Sequence, residues 1–245
     1  MRMAADEGPA PGGTEGWVGL LRVGAWAALA SVVLIVVQIG IYVLWPPPTT
    51  TEGFYVLLVE RPLQGLLALD LLYVVSNLLA YLLYLALGVA LWRVSRSAVV
   101  VALAFGVLGM AAYTASPRPV EMLSLAQSYA DAAPGEQVAL LAVGDGMLAT
   151  WMGTAFDIYY LVNLVTLLVL ALLMLRSPLF GRATAVWGLV AAVLMAVPSN
   201  FGVVGLWFAL ASLVPWSVFA LLVWRSLLGL ADASGVGERS LARAA

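Results

Sequence analysis

Long apolar runs, separated by arginines, prolines and short polar stretches, organise this chain. From Val23 to Trp45 only Ser31 and Gln38 interrupt the run, which Trp45 and the triplet Pro46, Pro47 and Pro48 then close. A helix needs about 20 apolar residues to cross a bilayer's hydrocarbon core, so this run predicts a first span. Further runs at 66–92, 97–114, 152–175, 183–197 and 203–224 predict five more. The fold class expected is therefore all-α, a polytopic membrane protein built as a bundle of six transmembrane helices within residues 17–230. The run 183–197 reaches only about 22 Å at helical rise and is expected to draw in Pro198, Ser199 and Asn200. Pro215 predicts a kink in the last span.

Two stretches between the runs read differently. Residues 49–65 are too polar to cross, yet Phe54, Tyr55, Leu57, Leu58 and Val59 would not lie free in water, which predicts an interfacial or re-entrant helix broken at Pro62. The loop 116–150 holds two helical pieces, Pro119 to Tyr129 and Pro134 to Leu148, each opened by a proline suited to a first turn, with Asp131 as a candidate cap for the second. Their mixed apolar and polar positions place them on the membrane surface or folded over the bundle as a lid. Residues 1–16 and 231–245 lack apolar periodicity of spanning length and read as tails, the first disordered and without the basic region of a secretory signal.

Composition sharpens the picture mainly by subtraction. Of the 245 residues 64% are hydrophobic and 10% charged, and mean hydropathy is +1.04, so lipid is the solvent. All 11 basic residues are arginine, and His and Cys are absent. That removes Ser-His and Cys-His nucleophile pairs, His-ligated haem, Cys/His zinc sites, and phosphate-loop or Schiff-base lysines. No cofactor and no metal site is expected, and a net charge of −2 gives no reason to expect nucleic acid as a partner. Arg2, Arg22, Arg93, Arg96, Arg176, Arg182, Arg225, Arg239 and Arg243 fall on one side of the expected membrane, whereas Arg61 and Arg118 fall on the other. This bias predicts cytoplasmic termini and an external long loop. The nine tryptophans read chiefly as an aromatic belt, and Glu60-Arg61 as solvated interfacial charge.

The candidate chemistry lies in the carboxylates. Asp157 heads the span at 152–175, and an unpaired charge in hydrocarbon costs several kcal/mol, so it must be hydrated, paired or protonated. Aligning 68–73, ALDLLY, with 155–160, AFDIYY, brings Asp70 onto Asp157 and Tyr73 onto Tyr160. Beyond a one-residue shift, Ala98, Ala102 and Gly106 meet Thr184, Gly188 and Ala192. This suggests a parallel internal repeat with small-residue packing ladders. Asp70 falls about 34 Å and Asp157 about 28 Å from the arginine ends of their spans, near the outer face. There they can be simple caps or loop anchors. Below them descend Tyr73, Asn77, Thr154, Tyr160 and Asn163, polar groups that at such depth face a bundle interior. The candidate ligand-binding set is therefore Asp70, Tyr73, Asn77, Thr154, Asp157, Tyr160 and Asn163, with Glu121 at the rim.

The DLLY of 70–73 followed by Asn77, then AFDIYYLVN at 155–163 and RSPLFGRATAVWGLVAAVL at 176–194, resembles an uncharacterised family of bacterial six-span integral membrane proteins. The resemblance covers about residues 20 to 230 and implies that architecture, with no established activity or site residue. Lysine-free composition rich in Ala, Gly and Arg fits a high-GC bacterium, hence an inner-membrane location. Three functions stay open. The first is a non-enzymatic protein that binds or passes a small or lipophilic molecule through an outward-facing pocket between the second and fourth spans. The second is an intramembrane enzyme using two carboxylates as acid and base on a lipid or isoprenoid. The third is a structural or accessory subunit whose partners are other membrane proteins; in every case membrane lipids surround the chain, and association with further copies of itself stays open.

Overall fold

A computed structural model describes residue 14 and residues 16–244, the side chains of 236–244 excepted. The expected tail 1–16 thus lies outside the described residues, apart from 14 and 16. The described residues form ten helices and no strand: α1 Val18–Leu44, α2 Thr51–Glu60, α3 Pro62–Ala68, α4 Leu71–Leu91, α5 Arg96–Thr114, α6 Pro119–Asp131, α7 Pro134–Trp151, α8 Thr154–Met174, α9 Arg182–Leu194 and α10 Gly202–Ala244. Five stretches are long and apolar enough to cross a membrane, carried by α1, α4, α5, α8 and α10, while the apolar α9 is shorter, with 13 residues. The exterior agrees with a lipid solvent: Val36, Val43, Val203 and Trp207 are each more than 60% exposed, an outside no aqueous surface would present so continuously.

The punctuation works as local chemistry requires. Thr50 and Ser95 cap α2 and α5 by accepting the Gly53 and Ala98 N–H groups at 3.2 and 3.3 Å. Pro62, Pro119 and Pro134 open α3, α6 and α7, where a missing N–H costs nothing. Three expectations change. The run read as one span from Leu66 divides at Asp70, between the end of α3 and the start of α4. Asp131 ends α6 and does not cap α7, whose N-cap is Ala133 with no side-chain bond. The C-terminal tail continues α10 as helix to Ala244.

Helices α1, α4, α5, α8, α9 and α10 pack in chain order, each on the next, and α10 closes the ring against α1. Small residues let the backbones approach. A Cβ on Gly24 of α1 would overlap the Ala86 side chain of α4, and one on Gly188 of α9 would press on Phe219 of α10 at 3.0 Å. Both expected ladders are used internally: Ala102, Gly106, Thr184, Gly188 and Ala192 are buried, and Thr166 of α8 donates its hydroxyl to the Ala102 carbonyl at 3.1 Å.

The remaining helices, α2, α3, α6 and α7, build a second, smaller core over one end of the ring, from Phe54, Tyr55, Leu58, Ala68, Leu69, Met122 and Ala126. Tyr55 donates to the Leu140 carbonyl at 2.9 Å. Burial, and then the Asp145 carboxylate, hold its hydroxyl above its usual pKa, so it stays a donor at neutral pH. Thr51 bonds Asp145, tying α2 to α7.

Close packing makes a paired prediction. Gly24→Val should lower the thermal midpoint of the detergent-solubilised protein sharply, or prevent its recovery, because α1 and α4 cannot both keep their positions. Gly40→Ala, with nothing within 4 Å of its Cβ, should leave the midpoint unchanged or slightly raised. Equal effects would contradict the ring.

Candidate functional site

Asp70 adopts φ +63°, the only positive φ of a non-glycine residue among the described ones. Asp tolerates this left-handed geometry better than most residues, and here it turns the chain from α3 into α4. The turn delivers the carboxylate to three donors from three helices. Tyr42 of α1 donates to Oδ1 at 2.7 Å, and Tyr113 of α5 and the Trp151 indole of α7 both donate to Oδ2 at 3.0 Å. Gln38 supports Tyr42 from one turn earlier, its Nε2 donating to the Tyr42 hydroxyl at 3.1 Å. Three donors around two oxygens meet the acceptor capacity of the group without a cation, and among the described residues Asp70 makes no ion pair. Trp151 is itself fixed, edge-on to Phe54 at 6.3 Å and 83°, with its carbonyl accepting from Ser116 at 2.6 Å.

Below Asp70 lies an aromatic and amide layer. Tyr159 donates its one hydroxyl proton to Asn77 Oδ1 at 2.6 Å, so at the 3.4 Å contact between Tyr73 and Tyr159 the donor is Tyr73. Rings of Tyr73, Tyr113, Phe156, Tyr159 and Tyr160 pack with centroid spacings from 4.8 to 6.5 Å. The Asn77 amide nitrogen, on a residue only 6% exposed, has no partner. The Asn163 amide oxygen and the Tyr84 hydroxyl, on side chains that lie against each other, make no bond of normal geometry, and away from this layer the same holds for Asn200 Oδ1 and Trp224 Nε1. Such groups in an apolar interior cost about 1–3 kcal/mol each, and Asn77 and Asn163 bring two of them to one place.

Asn77 and Asn163 border a cavity inside the ring. Its outer lobe, about 620 Å³ including open space, is lined by Gln38, Asp70, Tyr73, Phe156, Tyr160 and Ser199 with Ala209, Leu210, Ser212 and Leu213 of α10. Its inner lobe, about 440 Å³ including open space and much narrower within, is lined by Tyr73, Ser76, Asn77, Tyr159, Asn163 and Trp216. Tyr73, Met195, Ser212 and Leu213 line both lobes, so the two adjoin.

Of the residues expected at a site, Asp70, Tyr73, Asn77, Tyr160 and Asn163 meet at this cavity, on α4, α8 and the turn before α4. Thr154 and Glu121 do not; both side chains are exposed, Thr154 at the start of α8 and Glu121 in the first turn of α6. Asp157 lines neither lobe. Its Oδ1 accepts from the Asn200 amide at 2.8 Å, and Asn200 also donates to the Met152 carbonyl at 2.8 Å, so Asp157 ties the segment after α9 to the head of α8. The two acids paired by sequence thus hold different posts, one at the cavity mouth and one in a loop clasp. Sequence reasoning missed Tyr42, Tyr113 and Trp151, which serve Asp70 from other helices. The only signal within reach was Gln38 with Tyr42, polar groups one turn apart in an otherwise apolar run.

Removing the Asp70 carboxylate should strand its three donors. Asp70→Ala should cost about 3 kcal/mol in thermal unfolding of the detergent-solubilised protein. Asp70→Asn keeps the left-handed turn and two acceptor contacts and should cost less than half as much. Asp157→Ala, losing one bond from a partly exposed clasp, should cost about 1 kcal/mol; the reverse order would contradict the assignment. Comparison with known proteins adds no family to this geometry: no family model matches the chain, and no curated protein or solved structure matches it.

Proposed function

We propose that this chain is a six-span protein of a bacterial inner membrane, with both termini in the cytoplasm, that binds a small amphiphilic molecule in the cavity of its helix ring. The observation that carries this reading is the pair of amides, Asn77 and Asn163, each with an unbonded buried polar atom, on the wall of a two-lobed cavity whose mouth holds Asp70. A protein that only packed its helices would lose stability by keeping such atoms, whereas a ligand bearing one polar group could satisfy them.

The arginine distribution supports the orientation, since Arg22, Arg93, Arg96, Arg176, Arg182 and Arg225 belong to one end of the ring and the α2, α3, α6 and α7 cap to the other. In this reading α9 serves as a short sixth span and the cap lies at the outer interface, covering the cavity. Asp70 and Asp157 at matching ends of α4 and α8 fit the parallel repeat. A shared-carboxylate enzyme draws less support, because the two lobes are lined by one acid, Asp70. An accessory subunit also draws less, because the small-residue ladders are buried within the chain.

The absence of cysteine makes the topology directly testable. A membrane-impermeant maleimide added to intact spheroplasts should label Ser128→Cys on α6 and should reach Ala183→Cys on α9 only after permeabilisation. Labelling in the opposite order would overturn the orientation. For binding, a panel of neutral and charged amphiphiles of about 10 to 20 heavy atoms should contain members that raise the thermal midpoint of the purified protein. Ser212→Phe, which fills both lobes from a residue 8% exposed, should abolish those shifts while leaving the folded protein recoverable. A panel without effect, or shifts that survive the filling, would sink the cavity reading.

A further inference from the structure

The cavity's charge and its walls say more about what it would take. Among the lining residues of both lobes there is one charged side chain, Asp70, and no arginine. Its three donors hold both carboxyl oxygens, and among the described residues no cation pairs with it, so a cation placed beside it would favour the ionised carboxylate and be held by it. In a low-dielectric interior a carboxylate and a cation stabilise each other strongly, whereas an anion beside the same carboxyl group is opposed. The walls repeat the preference: Tyr73, Phe156 and Tyr160 line the outer lobe, Tyr159 and Trp216 the inner one. Aromatic faces attract a desolvated ammonium through their quadrupoles, and a ring of them suits a substituted ammonium that cannot donate many hydrogen bonds.

The route is set by helix burial. Every buried residue of α1 lies between Leu21 and Ile35, and none from Val36 to Leu44 is buried. Across the seam Leu210 lines the outer lobe although it is 47% exposed, and Gln38 lines it from α1. The ring is therefore closed where Arg22 pairs with Asp232 at 3.3 Å, and it thins toward the apolar exterior where Gln38 faces α10. An amphiphile dissolved in the membrane meets this thin part of the wall first.

Resting on the proposed binding role, we propose that the ligand is a lipophilic organic cation, a substituted ammonium carrying an apolar group, which enters from the membrane between the outer halves of α1 and α10. Its charged end lies toward Asp70 and the tyrosine rings, and its apolar part occupies the inner lobe beside Trp216. An anion of the same size is rejected by Asp70.

Three probes of nearly the same shape test this. Benzyltrimethylammonium is the cation, neopentylbenzene its neutral carbon isostere, and phenylmethanesulfonate an anion of similar size. Binding is read as concentration-dependent shifts of the thermal midpoint in neutral detergent. The cation should bind at least tenfold more tightly than the neutral isostere, and the anion should give no shift. Asp70→Asn should weaken the cation at least tenfold and leave the neutral probe within twofold. Should Asp70→Asn not be recoverable, Tyr160→Leu should weaken the cation about fivefold while Tyr160→Phe, which keeps the ring, restores it. If the neutral probe binds as tightly as the cation, or if both Tyr160 variants bind the cation like the native chain, the cation proposal is overturned and the cavity reading stands. If neither these probes nor any amphiphile of the wider panel binds, both fall.

Discussion

A carboxylate at the end of a membrane helix cannot be left to itself, and the disposition of Asp70 follows from that constraint. The left-handed turn at Asp70 aims it across the ring, and hydroxyls and an indole from α1, α5 and α7 converge on its two oxygens. One side chain therefore joins α1 and α5 of the ring to α7 of the cap. Had the chain from Pro62 to Leu91 stayed one straight helix, Asp70 would sit on its flank, and the three donors could not all reach it. Break, turn and cap form one structural device.

The same device explains why the ring is not filled. Aromatic side chains that crowd around Asp70 carry hydroxyls, and hydroxyls need partners; Tyr73 finds Tyr159, and Tyr159 finds Asn77. Each bond satisfied in that series passes the demand inward until it ends on the Asn77 amide nitrogen, which nothing among the described residues answers. Leucine or alanine at 77 and 163 would have closed the interior at less cost. The retention of amides around an open space makes a bound molecule the economical explanation of the core.

Much of this was legible in the sequence, and the limits are physical. Spanning runs are readable because hydrocarbon thickness fixes their length, and the prolines at 62, 119 and 134 mark helix starts because they lack an N–H to satisfy. Tyr73, Asn77, Tyr160 and Asn163 were found because helical spacing lines polar groups along one face. What stayed hidden were contacts across helices. Nothing local says that Tyr42, Tyr113 and Trp151 share a target, since they lie 28, 43 and 81 residues from Asp70. The alignment of Asp70 with Asp157 drew attention to the right acid, but it also implied an equivalence that geometry does not keep. The residue following each acid's helix start is similar; the backbone conformation is not, with Asp70 before α4 and Asp157 within the first turn of α8.

The most direct test of the central claim, that the ring encloses a ligand site completed from outside the chain, is a high-resolution density map of the protein extracted with its native lipids. The account predicts non-protein density inside the ring, with a polar atom within hydrogen-bond distance of the Asn77 amide nitrogen and a second polar or cationic end near Asp70. A map in which α1 and α10 close over a collapsed interior, with Asn77 and Asn163 bonded to each other or to neighbouring side chains and lipid only on the outside, would contradict it.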